Sequence, residues 1–167
     1  MKLILINGQP GSGKTSIAKA LLNDLRNAAY IETDSLVAVN PFELNEDLNN
    51  LAAINAVSLI KNFSAAGYQN MIVSGLIKNQ KELDRLLGRM DKNKDLVFVW
   101  LRASKEVRME RKQERARDGA DSIKYFEFID ALIPDVENFE LNNGKYISIN
   151  TTSKTIQEVV NEIKVEI

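Results

Sequence analysis

The eight residues Gly8-Gln9-Pro10-Gly11-Ser12-Gly13-Lys14-Thr15 constrain this chain more than any other stretch, because of what stands on either side of them. Before them, Leu3 to Ile6 is an uninterrupted apolar run, the pattern of a parallel strand covered on both faces. After them, Ile17, Ala18, Leu21, Leu22 and Leu25 recur on one face of a helix. A strand that turns through glycines into a helix aims successive backbone N–H groups, and the positive end of the helix dipole, at one point. That point suits a phosphate. Lys14 adds a point charge for the β- and γ-phosphates, and the Thr15 hydroxyl is able to ligate Mg2+. The pattern Gly-x-x-x-x-Gly-Lys-Thr therefore predicts a nucleoside triphosphate site, with Mg-ATP as the expected ligand. It is built from Gly8, Pro10, Gly11, Ser12, Gly13, Lys14, Thr15 and Ser16.

Further strands and helices alternate along the rest of the chain. Tyr30 to Asp34 reads as a second strand ending in a carboxylate, and residues 35 to 48 as irregular and acidic, with Pro41. Helical spacing returns from Asn49 to Ala66, and Gly67 ends it. Met71 to Val73 is a third strand closed by Ser74-Gly75, Lys81 to Met90 a short helix, and residues 91 to 94 a turn. Leu96 to Leu101 is the fourth strand. Ser104 is the expected N-cap of a highly charged helix reaching Asp118. A weaker helix covers about Ile123 to Leu132 and stops before Pro134; Tyr146 to Ile149 is the fifth strand, and Thr155 to Ile163 the closing helix. The alternation predicts an α/β fold with a parallel sheet and helices on both faces, in a single domain over residues 1–167.

Composition removes whole classes of chemistry. The 167 residues contain no cysteine and no histidine, so disulfides, cysteine nucleophiles and His-ligated zinc are excluded. Proton transfer falls to carboxylates, lysines or water. A net charge of −1 offers no overall attraction for nucleic acid, which is not expected as a partner. No apolar stretch approaches the ~20 residues needed to span a bilayer, and Met1 to Ile6 is too short for a signal peptide. The expectation is a cytoplasmic protein with no membrane association and no obligate protein partner.

The phosphate loop, the order of elements and the chain length resemble the branch of P-loop proteins that holds the adenylate, shikimate, gluconate and chloramphenicol kinases. The resemblance implies strand order 2-3-1-4-5, ATP as phosphoryl donor, and a mobile lid over about residues 104–133 that carries arginines. Within Glu106-Val107-Arg108-Met109-Glu110-Arg111, the resemblance assigns Arg111 to the nucleotide, and Arg115 follows four residues on. The flat fork of arginine stacks on adenine and binds phosphate oxygens in pairs, and a spacing of four puts both on one helix face. Arg108 and Arg117 are read as solvated, among the glutamates of an exposed helix.

At the end of the second strand, Glu32 and Asp34 lie two apart, which on a strand aims both to the same side. The resemblance implies one or two acids here that orient the acceptor hydroxyl or stand near the metal, and Asp34 is the candidate for both. Many P-loop proteins end strand three in an Asp that holds the hydration shell of Mg2+; here the position reads Val73-Ser74-Gly75, with no carboxylate. That departure argues against a motor ATPase or a regulatory GTPase. Asn93-Lys94-Asp95 lacks the spacer of the guanine motif and precedes strand four, so it is read as a turn.

From Asn27 to Ile60 there is no lysine or arginine, whereas nucleoside monophosphate kinases place an arginine there for the acceptor phosphate. The acidic stretch points to a small neutral or cationic molecule bearing a hydroxyl. Lys78, in the place of a phosphate-binding arginine after strand three, is read as an exposed loop lysine, and Asn150 to Ser153 either as adenine contacts or as the cap of the last helix. The expected activity is transfer of the γ-phosphoryl group of Mg-ATP, with Lys14, Asp34, Arg111 and Arg115 as the catalytic set and Thr15 and Asp34 near the metal. The alternatives are a nucleoside monophosphate kinase, a non-catalytic ATP-binding switch module, and a kinase of polynucleotide 5′-hydroxyls.

Overall fold

Strand β1 (Lys2–Gly8) lies at the centre of the sheet and is buried on both faces, as its unbroken apolar run requires. The computed structural model describes residues 1–43, 45–75, 77–90, 95–114, 121–133 and 138–167, and of residues 121–125 the backbone alone. Strand β2 is Ala28–Glu32, β3 Asn70–Ser74, β4 Asp95–Arg102 and β5 Lys145–Asn150. All are parallel, in the order β2-β3-β1-β4-β5 that the resemblance implies.

Alternate residues of β1 enter two separate cores. Leu3 and Leu5 pack with helices α2 (Glu46–Ala65) and α3 (Gln80–Leu87) and with Phe98, Trp100 and Phe139. Ile4 and Ile6 pack with α1 (Lys14–Asp24) and α6 (Ile156–Glu166). Helix α4 (Lys105–Glu114) follows β4, and α5 spans Asp121–Leu132. The C-terminal ends of the strands face one crevice, where the connections leave to opposite sides of the sheet. Among the described residues no helix is long and apolar enough to cross a membrane.

Two of the boundaries that differ from expectation bear on the site, and each has a physical reason. The second strand ends at Glu32 instead of Asp34, because the Thr33 hydroxyl donates to the carbonyl of Ser74 at 2.8 Å and the chain turns into a short 3-10 segment, Thr33–Ser35. Asp34 is therefore on a turn and shares no strand face with Glu32. Helix α2 begins at Glu46, inside the stretch expected to be irregular, because Asn45 caps it by accepting from Leu48 N at 2.9 Å. At its other end Gly67, at φ 94°, lets the chain reverse, with Tyr68 N reaching the Phe63 carbonyl and the two rings meeting edge to face at 5.6 Å.

Candidate active site

The loop between β1 and α1 is a cradle that only glycine permits. A Cβ on Gly8 would stand 2.1 Å from the Leu101 carbonyl oxygen, and one on Gly11 would stand 2.6 Å from that of Arg108. The loop is thus pressed against β4 on one side and α4 on the other, with Gly8, Gly11 and Gly13 at φ 138°, 80° and 101°. Gly13 is the N-cap of α1, so the first helical amides open onto the loop. The Lys14 ammonium lies across its mouth, donating to the carbonyls of Gly8 at 2.9 Å and Gln9 at 3.1 Å. Glycine curvature, a helix N-terminus and a lysine spanning the rim fit a polyphosphate.

The loop opens into a cavity of about 640 Å³. Gly8, Pro10, Gly11, Gly13, Lys14 and Thr15 line one end, beside Glu32 and Asp34. Ser12 lies beneath, its side chain fully buried, and neither Ser12 nor Ser16 is among the lining residues. Thr15 Oγ1 donates to Glu32 Oε1 at 2.8 Å, so its proton is already directed away from the loop and a lone pair is left for a cation. Asp34 is exposed on its turn, where a Cβ added to Gly75 after β3 would come within 3.5 Å of its Oδ1. Among the described residues no three acidic side chains converge as a cage. The donors present fit Mg2+, which is held by one or two carboxylates together with substrate phosphates. Glu32, more than Asp34, is coupled to Thr15.

Beneath Glu32, the Tyr30 hydroxyl and Ser74 Oγ lie 2.8 Å apart. Burial first of all raises the Tyr30 pKa; the Ser74 hydrogen bond opposes this, the charge of Glu32 adds to it, and Thr15 and Asp34 act more weakly in opposite directions.

The far end of the cavity is apolar, walled by Val37, Phe42, Leu48, Ala52, Ile77 and Ile129. Asn7, 1% exposed, accepts from Ile77 N at 3.0 Å and fixes the start of the loop after β3. Lys78 is not the exposed lysine expected. It is half-buried in the cavity wall and donates to Asn49 Oδ1 on α2 at 3.3 Å, because Glu82 Oε2 accepts from its backbone N–H at 2.7 Å and folds the loop back. The acidic stretch is also partly neutralised. Lys81 and Arg85 of α3 bind Glu46 at 2.5 and 3.1 Å, and these hydrogen bonds, Lys81 first, hold its carboxyl below the usual range.

The arginines of α4 divide unexpectedly. Arg108, read as solvated, is 3% exposed. It makes a two-pronged ion pair with Asp130 of α5, donates to the carbonyls of Ala103 at 3.1 Å and Pro10 at 3.2 Å, and lies 5.9 Å from the Phe126 ring. Arg111 donates to Thr151 Oγ1 at 3.0 Å and to its carbonyl at 2.6 Å. Thr151, 2% exposed, in turn places its hydroxyl 3.1 Å from the Ser12 carbonyl. Arg111 thus ties α4 to the segment after β5, and the lysine that follows it, Lys112, lines the cavity. Arg115 and Arg117 lie outside the described residues. Ser104 caps α4 as expected, accepting from Val107 N at 3.4 Å. The cap of α6 is Thr155, in a reciprocal capping box with Glu158, which leaves Thr151 to its buried contacts.

Sequence reading overlooked Lys112 and the pairing of Tyr30 with Ser74. The latter had one signal: β2 and β3 are adjacent, so the absence of an acid at Ser74 leaves its place to a neighbour across the strands.

A family model described as an AAA domain matches residues 4–132. No curated protein sequence matches the chain. Among solved structures, a sugar kinase from Janibacter sp. HTCC2649 is similar with a TM-score of 0.71 and 16% identity, covering 99% of this chain and 94% of that one. A gluconokinase from Sinorhizobium meliloti 1021 has a TM-score of 0.68 and 18% identity, covering 99% and 93%. The Mycobacterium tuberculosis APS kinase, in complex with AMPPNP and APS, has a TM-score of 0.65 and 19% identity, covering 98% and 94%. At these identities the likeness is one of fold.

Proposed function

Because the chain belongs to the AAA-domain family of P-loop proteins, we propose that it is a phosphotransferase, moving the γ-phosphoryl group of ATP to a hydroxyl of a small molecule. One observation carries this reading: the phosphate loop, the exposed carboxylate of Asp34 and an apolar-walled space open into one cavity. A donor and an acceptor bound there would stand side by side, and positioning is most of what phosphoryl transfer asks of a protein.

In the proposed reaction the acceptor oxygen bonds to the γ-phosphorus as the bond from phosphorus to the β–γ bridging oxygen breaks. The hydroxyl proton passes to Asp34, and ADP leaves. Lys14 exchanges its two carbonyl contacts for phosphate oxygens, a stronger charge-assisted pairing. Mg2+ supplies neutralisation of the charge that develops on the phosphate oxygens. Thr15 and Glu32 would hold it. Lys112, on the lid helix, stands where a cation could approach the transferring group.

The apolar wall favours an acceptor with a non-polar face beside its hydroxyl. With Lys78 in that wall and Glu46 already paired with Lys81 and Arg85, a neutral compound fits better than a cation. A second reading, a nucleoside monophosphate kinase, draws support from Lys78 and its Asn49 partner as seats for an acceptor phosphate. ADP release from Mg-ATP, measured with sugars, nucleosides, nucleoside monophosphates and aminoglycosides, separates the two. A neutral hydroxyl compound should accelerate release in the native protein and fail to do so in Asp34→Asn. Acceleration by monophosphates alone would favour the second reading. If ATP binds and no acceptor has any effect, the chain is a binding switch instead.

A further inference from the structure

Ser74 ends β3 at the position where many P-loop proteins carry the carboxylate that serves Mg2+, and it is 3% exposed. It is flanked in the sheet by Ile6 of β1 and by Glu32 of β2. Its hydroxyl lies 2.8 Å from the Tyr30 hydroxyl, and Tyr30 stands two residues before Glu32 on the same face of β2. Above this pair, Thr15 gives its proton to Glu32 at 2.8 Å.

We propose that Tyr30 and Ser74 replace the strand-three carboxylate with a neutral hydroxyl pair, which holds Thr15 and Glu32 in the orientation that the nucleotide's Mg2+ requires. The inference rests on the Mg-ATP reading. Two hydroxyls carry two hydrogens, and one is spent in the bond between them. The other must find an acceptor, since a buried donor without one is costly. The polar neighbour above the pair is Glu32, which stands opposite Ser74 in the strand register and two residues after Tyr30 on the same face of β2. A threonine that ligates a cation presents a lone pair and must send its proton elsewhere; here Glu32 receives it. The hydroxyl pair beneath limits where that carboxylate can turn.

A carboxylate at Ser74 would face Glu32 across adjacent strands, and like charges so placed repel. The pair supports Glu32 without adding a second negative charge. Tyr30 and Ser74 are positioning residues: neither is among the residues lining the cavity, so they act through Thr15 and Glu32.

The test needs no acceptor. The affinity for ADP is measured by calorimetry with saturating Mg2+ and again with a chelator, and the ratio of the two is the coupling of the metal to the nucleotide. Tyr30→Phe and Ser74→Ala should each lower that ratio about tenfold, the loss of roughly one hydrogen bond to the metal's partners. Affinity in the chelator should stay within about twofold. Glu32→Gln should lower the ratio as well. Trp100, wholly buried in β4, reports by fluorescence that each variant is folded. If Tyr30→Phe does not fold, Ser74→Ala carries the test by itself.

An unchanged ratio in the folded hydroxyl variants, with the ratio lost in Glu32→Gln, overturns the proposal and leaves the Mg-ATP reading standing. An equal loss with and without Mg2+ reduces the pair to a structural contact and also overturns it. A native protein whose ADP affinity ignores Mg2+ removes the reading and the proposal together.

Discussion

Asp130→Ala tests how the arginine helix is held. In the native protein the Arg108 guanidinium is 3% exposed, faced by one carboxylate, two backbone carbonyls and the Phe126 ring. The substitution removes the carboxylate that pairs with this buried cation and leaves the two carbonyls and the ring as its direct partners among the described residues. Breaking a buried pair in this way costs about 3–5 kcal/mol, the uncompensated charge being most of it. The Asp130 side chain is 10% exposed, so water can enter the space it vacates, and the lower figure of about 3 kcal/mol is expected. For a chain of this length that lowers the melting temperature by roughly 6–12 °C.

Urea unfolding followed by Trp100 fluorescence measures the loss. Arg108→Met, which keeps the stem and removes the charge, should cost a similar amount. The double variant Arg108→Met/Asp130→Ala should cost less than the sum of the singles by about 2 kcal/mol, because both charges then leave together. A loss below about 1 kcal/mol in Asp130→Ala, the range of an exposed pair, would refute the claim that this contact is buried and structural.

Lys14→Ala should lower turnover by at least about a hundredfold while leaving the circular dichroism spectrum unchanged, since a group aimed at transition-state charge is lost and no core contact with it. Gly11→Ala forces an alanine to φ 80° and brings its Cβ to 2.6 Å from the Arg108 carbonyl. A stability loss of about 2–3 kcal/mol and a loss of ADP binding by calorimetry are expected, and native affinity for ADP would show that the loop tolerates a side chain there.

Different parts of this molecule were legible in the sequence for different physical reasons. The strands of the sheet and the phosphate loop announce themselves locally: β1 is an unbroken apolar run, and the glycines and Lys14 follow it at fixed spacing. The strand order came through resemblance, since nothing within one strand says which strand lies beside it. Asp34 was found as a cavity residue but set on the wrong element, because the turn that carries it depends on a hydrogen bond from Thr33 to the end of β3, 41 residues away. Arg108 was misread for the same reason. Its charged neighbours in sequence look like an exposed helix, while its partner Asp130 is 22 residues on and gives no periodic signal. Lys78 turns inward through Glu82, four residues on, and through Asn49, a contact that only the folding of α2 against α3 creates.

The two anchors on α4 also fix where it can bend. Arg108 is tied to Asp130 and to the carbonyls of Pro10 and Ala103, while Arg111 is tied to Thr151 on the opposite side of the phosphate loop. The helix is therefore clamped at both flanks over its first two turns, like a beam set into masonry, and swinging it from its root would break all of these contacts at once. Up to Arg111 the helix therefore moves together with the phosphate loop and the segment after β5, or not at all. Lys112 follows directly after the second anchor, so its place at the cavity is set by contacts that its own side chain does not make.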